Sequence, residues 1–515
     1  MDMHIGIDVG GTNTDAVLVE GRRVLAVCKA TTTADVTTGI IEAVGGLRHA
    51  FEPAAITAVM IGTTHFVNAV VEGRGLARTA AIRLGLPATT ALPPFVDWPE
   101  QLRQAIGGHA YLCHGGHEYD GRVISPLRED ELRAVAADIA DKGVRSVAIT
   151  SVFSLVSSEF ERRAAEILTA EVPGLLVSFS HEIGRLGLLE RENATIINAA
   201  LRVLAEQIAD GLVESLTAQG IGAPLYLSQN DGTLMDLEYA RCYPVATFSS
   251  GPTNSMRGGA FLSGTDDCAV VDVGGTTTDI GMLHNGFPRE ASSEVIISGV
   301  RTNFRMPDVR SVGLGGGSVV RQRPEIRVGP DSVGFRLSRQ ALVFGGDTLT
   351  ATDVAVAAGL ADIGDASLVR HLDGTLVRSV LDHVGDRIAA QVDRMRTSPA
   401  PLPVVLVGGG SVLVRDGIEG VSGIVRPEHH AFANAIGAAI AQVGGEVDRV
   451  FTMEPARRDE VLDAARQEAV DKAVAAGADA GSVRIVEIEE VPLAYLPGNA
   501  SRVRARAVGD LLLGH

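Results

Sequence analysis

Apolar and polar positions along the chain alternate between two periods, and most of the expected secondary structure follows from that switching. Ile5-Gly6-Ile7 and Ala16–Val19 flank a polar glycine turn and predict a β-hairpin over residues 3–20. Thr38–Val44 reads as a helix start and Ala58–Gly62 as a short strand. Glu129–Asp141 and Glu159–Ala170 carry helical patterns, while Ser146–Ser151 and Leu175–Ser180 read as strands. From Glu190 onward Ile197, Leu201, Leu204, Ile208, Leu212 and Leu216 recur at spacings of three and four. They predict a long helix that ends at Gly220 and crosses between two halves of the protein. The second half restarts with a strand at Pro224–Ser228, a second hairpin at 269–283 and an apolar strand at Val404–Val407. An Ala-rich helix is expected at Asn434–Val443, then a helix at Asp459–Ala476 and strands at Arg484–Ile488 and Arg502–Val508. Between Leu84 and about residue 127 neither period holds, and an irregular insertion is expected there.

The two hairpins carry one octapeptide written twice. Asp8-Val-Gly-Gly-Thr-Asn-Thr-Asp15 and Asp272-Val-Gly-Gly-Thr-Thr-Thr-Asp279 agree at seven of eight positions, with Asn13 against Thr277 the exception. A strand, a Gly-Gly-Thr turn and a return strand present backbone N–H groups at the hairpin tip, and such concave nests bind anions. Gly10, Gly11, Thr12 and Asn13 would cradle phosphate oxygens on one side, and Gly274, Gly275, Thr276 and Thr277 on the other. Two tips facing each other form a clamp for a polyphosphate. Asp8 and Asp272 end strands beside these turns, where a carboxylate can hold Mg²⁺ through waters or position a nucleophile. A lone Asp at a tight turn can equally brace its own backbone; the duplication favours function. Asp15 and Asp279, on the return strands, read as braces of the hairpins.

Composition narrows the possibilities. Against 63 acidic residues stand 45 Lys and Arg, a formal charge of −18, with no basic cluster of the kind that binds nucleic acid. Aromatic residues are 4% of the chain, too few for a base-stacking platform. The four cysteines, Cys28, Cys113, Cys242 and Cys268, are scattered and form no metal or disulfide pattern. No signal peptide or membrane-length apolar run is read, so a cytoplasmic protein without membrane partners is expected.

Weaker signals remain. Gly408-Gly409-Gly410-Ser411 follows a buried strand, where glycine lets backbone approach a nucleotide closely. Thr63, Thr64 and His65 follow Gly62 at a strand end, and Ser250 and Gly251 open another turn; these are candidate substrate contacts. His114, His117, Glu118 and Asp120 crowd one loop and are a candidate second metal site, or simply a polar loop. His181-Glu182 and Glu190-Arg191-Glu192-Asn193 flank the long helix and read as its solvated, capped start.

Two α/β lobes, each opening on a phosphate hairpin and followed by a Gly408-type turn, resemble the actin, hexokinase and heat-shock-70 architecture with duplicated ribonuclease H-like lobes. The expected division is 1–188, 189–445 beginning with the long helix, and a small C-terminal α/β unit at 446–515 packed on the lobes. Several segments in order narrow the resemblance: Gly62-Thr63-Thr64, Ser180-His181-Glu182-Ile183, Glu190–Thr195, Ser250-Gly251-Pro252, the second octapeptide and Gly313-Leu314-Gly315-Gly316-Gly317-Ser318. Across roughly residues 4–445 the chain is similar to the A-type, ATP-using subunit of the hydantoinase/oxoprolinase family, with the C-terminal region reduced. That resemblance implies Mg-ATP bound between the lobes and phosphorylation of the carbonyl oxygen of a cyclic amide or ketone. It also implies a B-type partner subunit encoded nearby and an oligomer. Alternatives in the same superfamily are a small-molecule kinase and an ATP-driven reactivase or chaperone-like switch. A zinc-bearing sugar kinase or an iron–sulfur activator would need a cysteine cluster that these four cysteines do not form.

Overall fold

The computed structural model describes residues 3–10, 13–31, 36–291, 295–322, 325–415, 420–440, 442–453, 457–494 and 499–513. β1 (Met3–Val9) and β2 (Asn13–Glu20) form the first hairpin, with Asp8 opposite Asp15. β3 (Arg23–Thr31) extends it, and β4 (Ile56–Thr63) lies parallel to β1 after the crossover helix α1 (Val36–Leu47). Ile40, Ala43, Val44 and Leu47 of α1 share one apolar cluster with Ile5, Ile7 and Ile61 of the sheet.

Behind β4 and α2 (His65–Glu72) the chain builds a second, four-stranded sheet. Its strands are β5 (Thr79–Leu86), β6 (His109–His114), β7 (Ser146–Ser151) and β8 (Leu176–Phe179), all parallel in the order β6-β5-β7-β8. Helices α3 (Glu100–Ala105), α4 (Glu129–Asp141) and α5 (Glu159–Glu171) connect them. The stretch 85–127 therefore contains α3 and β6 rather than being irregular throughout. Each is six residues long, too short to establish a period in the sequence.

After α6 (Ser180–Ile183) the long helix α7 spans Leu188–Ala218. Its first turns are buried, against the solvated start the sequence suggests. Glu192 receives both Nε and Nη2 of Arg83 from β5, at 2.6 and 2.5 Å, and Trp98 Nε1 donates to Asn193 Oδ1 at 2.7 Å. α7 thereby fastens the parallel sheet to the rest of the molecule.

β9 (Leu225–Ser228) then returns to lie parallel to β4, giving the order β3-β2-β1-β4-β9, and β10 (Leu234–Asp236) adds antiparallel to it. α8 (Leu237–Cys242) and α9 (Ser250–Ser263) lead to the second lobe. There β11 (Cys268–Val273) and β12 (Thr278–His284) repeat the hairpin, with Asp272 opposite Asp279. β13 (Phe287–Pro288) pairs with β12, and β14 (Val295–Ile297) with β15 (Val300–Thr302) forms a small ribbon. β16 (Val309–Val312) also pairs with β12, and β17 (Ser318–Arg321) with β18 (Arg327–Ser332) forms another ribbon. Helices α10 (Leu337–Gln340), α11 (Ala351–Ala357) and α12 (Gly374–Met395) follow. β19 (Leu402–Val407) lies parallel to β11, and β20 (Val421–Val425) lies parallel to β19. Outer strand, β12, β11, β19 and β20 thus reproduce the strand order of the first lobe, a duplicated α/β fold.

α13 (Ala433–Ala438) is shorter than the predicted Asn434–Val443 helix, because the chain turns into β21 (Gln442–Thr452). β21, β22 (Arg484–Pro492) and β23 (Ala500–Asp510) form an antiparallel set covered by α14 (Arg458–Ala475). Leu234 of β10 pairs with Val443 of β21, so these strands continue the first sheet to nine. The C-terminal unit is therefore an extension of the first lobe's sheet, and β9 and β10 place residues beyond 188 in that sheet as well.

The lobes meet where α9 crosses α13. A Cβ on Gly258 would stand 1.9 Å from the Ala433 carbonyl oxygen, and one on Gly6 of β1 would stand 2.2 Å from that of Ala435. Only backbone without side chains fits at this separation.

Candidate functional site

The repeated octapeptides close in the same way. Gly10 N–H donates to the Asn13 carbonyl at 3.0 Å, and Gly274 N–H donates to the Thr277 carbonyl at 2.9 Å. Gly11 and Thr12 lie outside the described residues. Asp8 is 7% exposed, and burial pushes its carboxyl up to about 7, with the charge of Asp15 adding to the push. Asn434 Nδ2 on α13 donates to Asp8 Oδ2 at 3.4 Å and opposes that rise. Burial likewise raises Asp272 to about 6. The Ser255 hydroxyl lies against Asp272 and holds it down, in a geometry short of a full hydrogen bond. The charge of Asp272 adds a smaller rise at Asp8. Lys29 pairs with Asp15, rests over the Phe432 ring, and lowers both Asp8 and Asp272. Asp15 and Asp279 act as the expected braces, Asp15 to Lys29 and Asp279 to the Ser311 hydroxyl.

The second hairpin is held by two more glycine turns. Gly316 N–H donates to the Gly274 carbonyl at 3.0 Å and Gly317 N–H to the Gly275 carbonyl at 2.7 Å. A Cβ on Gly315 would stand 2.7 Å from Thr276 N, so the 313–318 turn lies directly on the 274–277 turn. Gly410 N–H donates to the Val273 carbonyl at 2.8 Å. Gly408, at φ +81°, passes so close that a Cβ would be 2.2 Å from Asp272 Oδ1. Gly409 faces open space, and Ser411 is buried at the start of the next turn. Beyond it lies a cavity of about 370 Å³ lined by Leu360, Val412, Val414, Arg415 and Arg426. The sequence points to the Gly408 turn; it does not reveal the docking of 315–317, although that run of three glycines is visible in it.

Four candidate substrate residues also converge. Thr63 pairs with Val9 at the end of β4, and the Thr64 hydroxyl donates to the Val9 carbonyl at 3.4 Å. The Ser250 hydroxyl points to the Thr63 carbonyl at 3.5 Å, and Gly251 packs toward the Thr64 methyl. His65 opens α2 and its N–H donates to the Thr63 hydroxyl at 3.2 Å. Asn254 and Asn434, which face Asp8 from α9 and α13, carry no sequence signal, because only tertiary packing aims them there.

The second metal cluster expected from the sequence is not assembled. His114 Nδ1 pairs with Glu131 at 2.7 Å, His117 stacks on Phe160 at 4.5 Å between ring centroids, and Asp120 pairs with Arg122 at 2.7 Å. The Glu118 N–H closes a backbone turn with the Arg122 carbonyl. His114 and Asp120 are taken up by local partners and His117 Nδ1 is buried without one, and among the described residues no group of three or more such side chains can hold a metal. Also among the described residues, no helix is long and apolar enough to cross a membrane.

Family models for the hydantoinase/oxoprolinase N-terminal region and for hydantoinase/oxoprolinase match residues 4–172 and 191–395. The chain belongs to the hydantoinase/oxoprolinase family. It is 30% identical over 392 residues to the caprolactamase subunit alpha of Pseudomonas jessenii, covering 70% of this chain and 55% of that one. It is 26% identical over 395 residues to the acetophenone carboxylase gamma subunit of Aromatoleum aromaticum, covering 69% and 53%. The chain thus spans about half the length of the curated relatives it matches. In fold it is similar to the crystal structure of ATP-dependent caprolactamase from Pseudomonas jessenii, with a TM-score of 0.76 at 17% identity, covering 98% of this chain and 87% of that one. The nucleotide-free structure of acetone carboxylase matches with a TM-score of 0.67 at 18% identity, covering 99% and 88%.

Proposed function

We propose that this hydantoinase/oxoprolinase-family chain binds Mg-ATP between its two hairpins and phosphorylates the carbonyl oxygen of a cyclic amide, for ring opening with a B-type partner subunit. The observation that carries this reading is the pair of identically closed hairpins, each with a carboxylate, Asp8 or Asp272, at the end of its first strand. The similarity to a caprolactamase subunit supports the cyclic amide, and the similarity to ketone carboxylase subunits keeps a ketone as the second acceptor.

The residues present fit the magnesium and nucleotide. Two carboxylates, Asp8 buried and Asp272 half-buried, have raised affinity for protons and are poised to exchange the proton for a cation. Asp8 and Asp272 would hold Mg²⁺, mostly through its waters. When bound, the cation neutralises charge on the phosphates. Gly10 and Asn13 would cradle phosphate oxygens from one lobe, and Gly274 through Thr277 from the other. The Gly408–Ser411 turn leads to the cavity whose apolar walls and two guanidiniums suit a purine base. Thr63, Thr64, His65, Ser250 and Gly251 would border the acceptor.

In the reaction the amide oxygen bonds to the γ-phosphorus while the bond to the bridging oxygen breaks, its electron pair leaving on ADP. The ring N–H proton passes to solvent. The product is an O-phosphorylated imidate, whose phosphate is a good leaving group for subsequent hydrolysis. The protein's contribution is positioning and charge stabilisation, as phosphoryl transfer demands.

The test is ADP release measured with caprolactam, hydantoin, 5-oxoproline and simple ketones, with and without the product of the adjacent gene. Stimulation by a lactam supports the proposal. Basal turnover changed only by a protein partner would overturn it in favour of a reactivase.

A further inference from the structure

Asn254 is 2% exposed, and its side-chain Nδ2 has no acceptor among the described residues. A buried amide donor without a partner costs free energy, and such groups in native structures call for an explanation. Its direction is defined by Gly62. The point where a Gly62 Cβ would stand lies 2.5 Å from Asn254 Nδ2 and 2.9 Å from Asp8 Oδ1. The missing side chain is what lets the amide look at the tip of β1. Asp8 Oδ2, meanwhile, already accepts from Asn434.

α9 contributes a second feature to the same place. Ser250 and Asn254 are four residues apart on one helix face, and helical side chains lean toward the N-terminus. Ser250 meets the Thr63 carbonyl while Asn254 meets Gly62, so this face runs along the end of β4. The helix is 14 residues long; Pro252 in its first turn has no N–H and Thr253 N–H donates to the Ser249 carbonyl at 3.3 Å, which leaves the Ser250 and Gly251 N–H groups without an acceptor inside the helix. The positive end of the helix dipole therefore lies at the end of β4, beside Gly62 and Asp8.

We infer that the Asn254 amide, with the N-terminus of α9, donates to the γ-phosphoryl oxygens as they pass from ATP to the acceptor. The inference rests on the nucleotide reading above and is independent of the acceptor's identity. Charge in phosphoryl transfer spreads over the equatorial oxygens, and a preorganised donor out of water acts on it without having to reorient. Asn254 touches the reacting group in this assignment and is a catalytic residue.

The experiment compares ADP binding with ADP–fluoroaluminate binding in the full chain, together with ATP hydrolysis. Asn254→Ala is expected to lower turnover by about 100-fold. Its affinity for ADP should stay within about threefold, while ADP–fluoroaluminate, which mimics the transferring group, loses about the same 100-fold. Asn254→Asp keeps the shape but replaces the donor with an acceptor and should lose at least as much turnover. Parallel loss of both affinities, or neither, would overturn the inference: Asn254 would then support the site or the fold only. Failure of the wild-type chain to bind ADP would instead overturn the nucleotide reading itself.

Discussion

Gly437 of α13 lies with its bare Cα against Asn254 of α9, so that a Cβ would stand 1.8 Å from the Asn254 carbonyl oxygen. α9 precedes and α13 follows the strands of the second lobe, and each also carries an asparagine toward Asp8. Lobe contact and site geometry are therefore set by one backbone-to-backbone crossing.

Gly437→Ala should separate the helices. The clashing atom is backbone, which has no rotamer to escape into, so the cost is about 1–3 kcal/mol or more. A fall in melting temperature is expected, together with a nucleotide affinity reduced more than in an equally destabilised variant away from the crossing. Calorimetry and ADP titration measure both. Normal nucleotide affinity would show that the crossing does not shape the site.

Asp8→Asn should abolish turnover yet stabilise the free protein at alkaline pH. The folded state raises Asp8 from 3.8 to about 7, so folding favours the protonated form. Its contribution is fully present below pH 3.8 and is lost as pH rises through about 7, at about 1.4 kcal/mol for each pH step between those two values. Melting curves across pH 4–8 should show the variant's advantage growing with pH and vanishing at the acid end. An advantage that grows toward acid would contradict the assigned direction.

Breaking the Arg83–Glu192 pair should be costly. Both side chains are essentially buried, and removing one partner strands the other's charge. Glu192→Gln or Arg83→Met is expected to destabilise by about 3–5 kcal/mol, whereas the double change to Met and Leu recovers most of it. Denaturant midpoints decide. Near-neutral single variants would show that the pair carries little.

Much of this architecture is legible before folding. The octapeptides announce two hairpins and their carboxylates, and the apolar stripe from Ile197 to Leu216 announces α7. Local periodicity suffices there because hairpins and amphipathic helices are defined by neighbours in sequence. The His114–Asp120 loop misleads for the complementary reason: proximity in sequence does not make side chains converge, and His114 and Asp120 pair instead with Glu131 and Arg122.

The Gly-Gly-Thr turns and their order are settled by the chain's own local chemistry, since such a turn after a buried strand depends on adjacent residues alone. Tertiary structure decides the rest. It returns β9, β10, β21, β22 and β23 to the first sheet, because an unpaired strand edge takes hydrogen bonds from wherever the chain offers them. It buries Arg191 and Glu192, which look solvated in isolation, by supplying partners from distant strands. It also turns Asn254 toward Asp8, across a gap that exists only because residue 62 has no side chain.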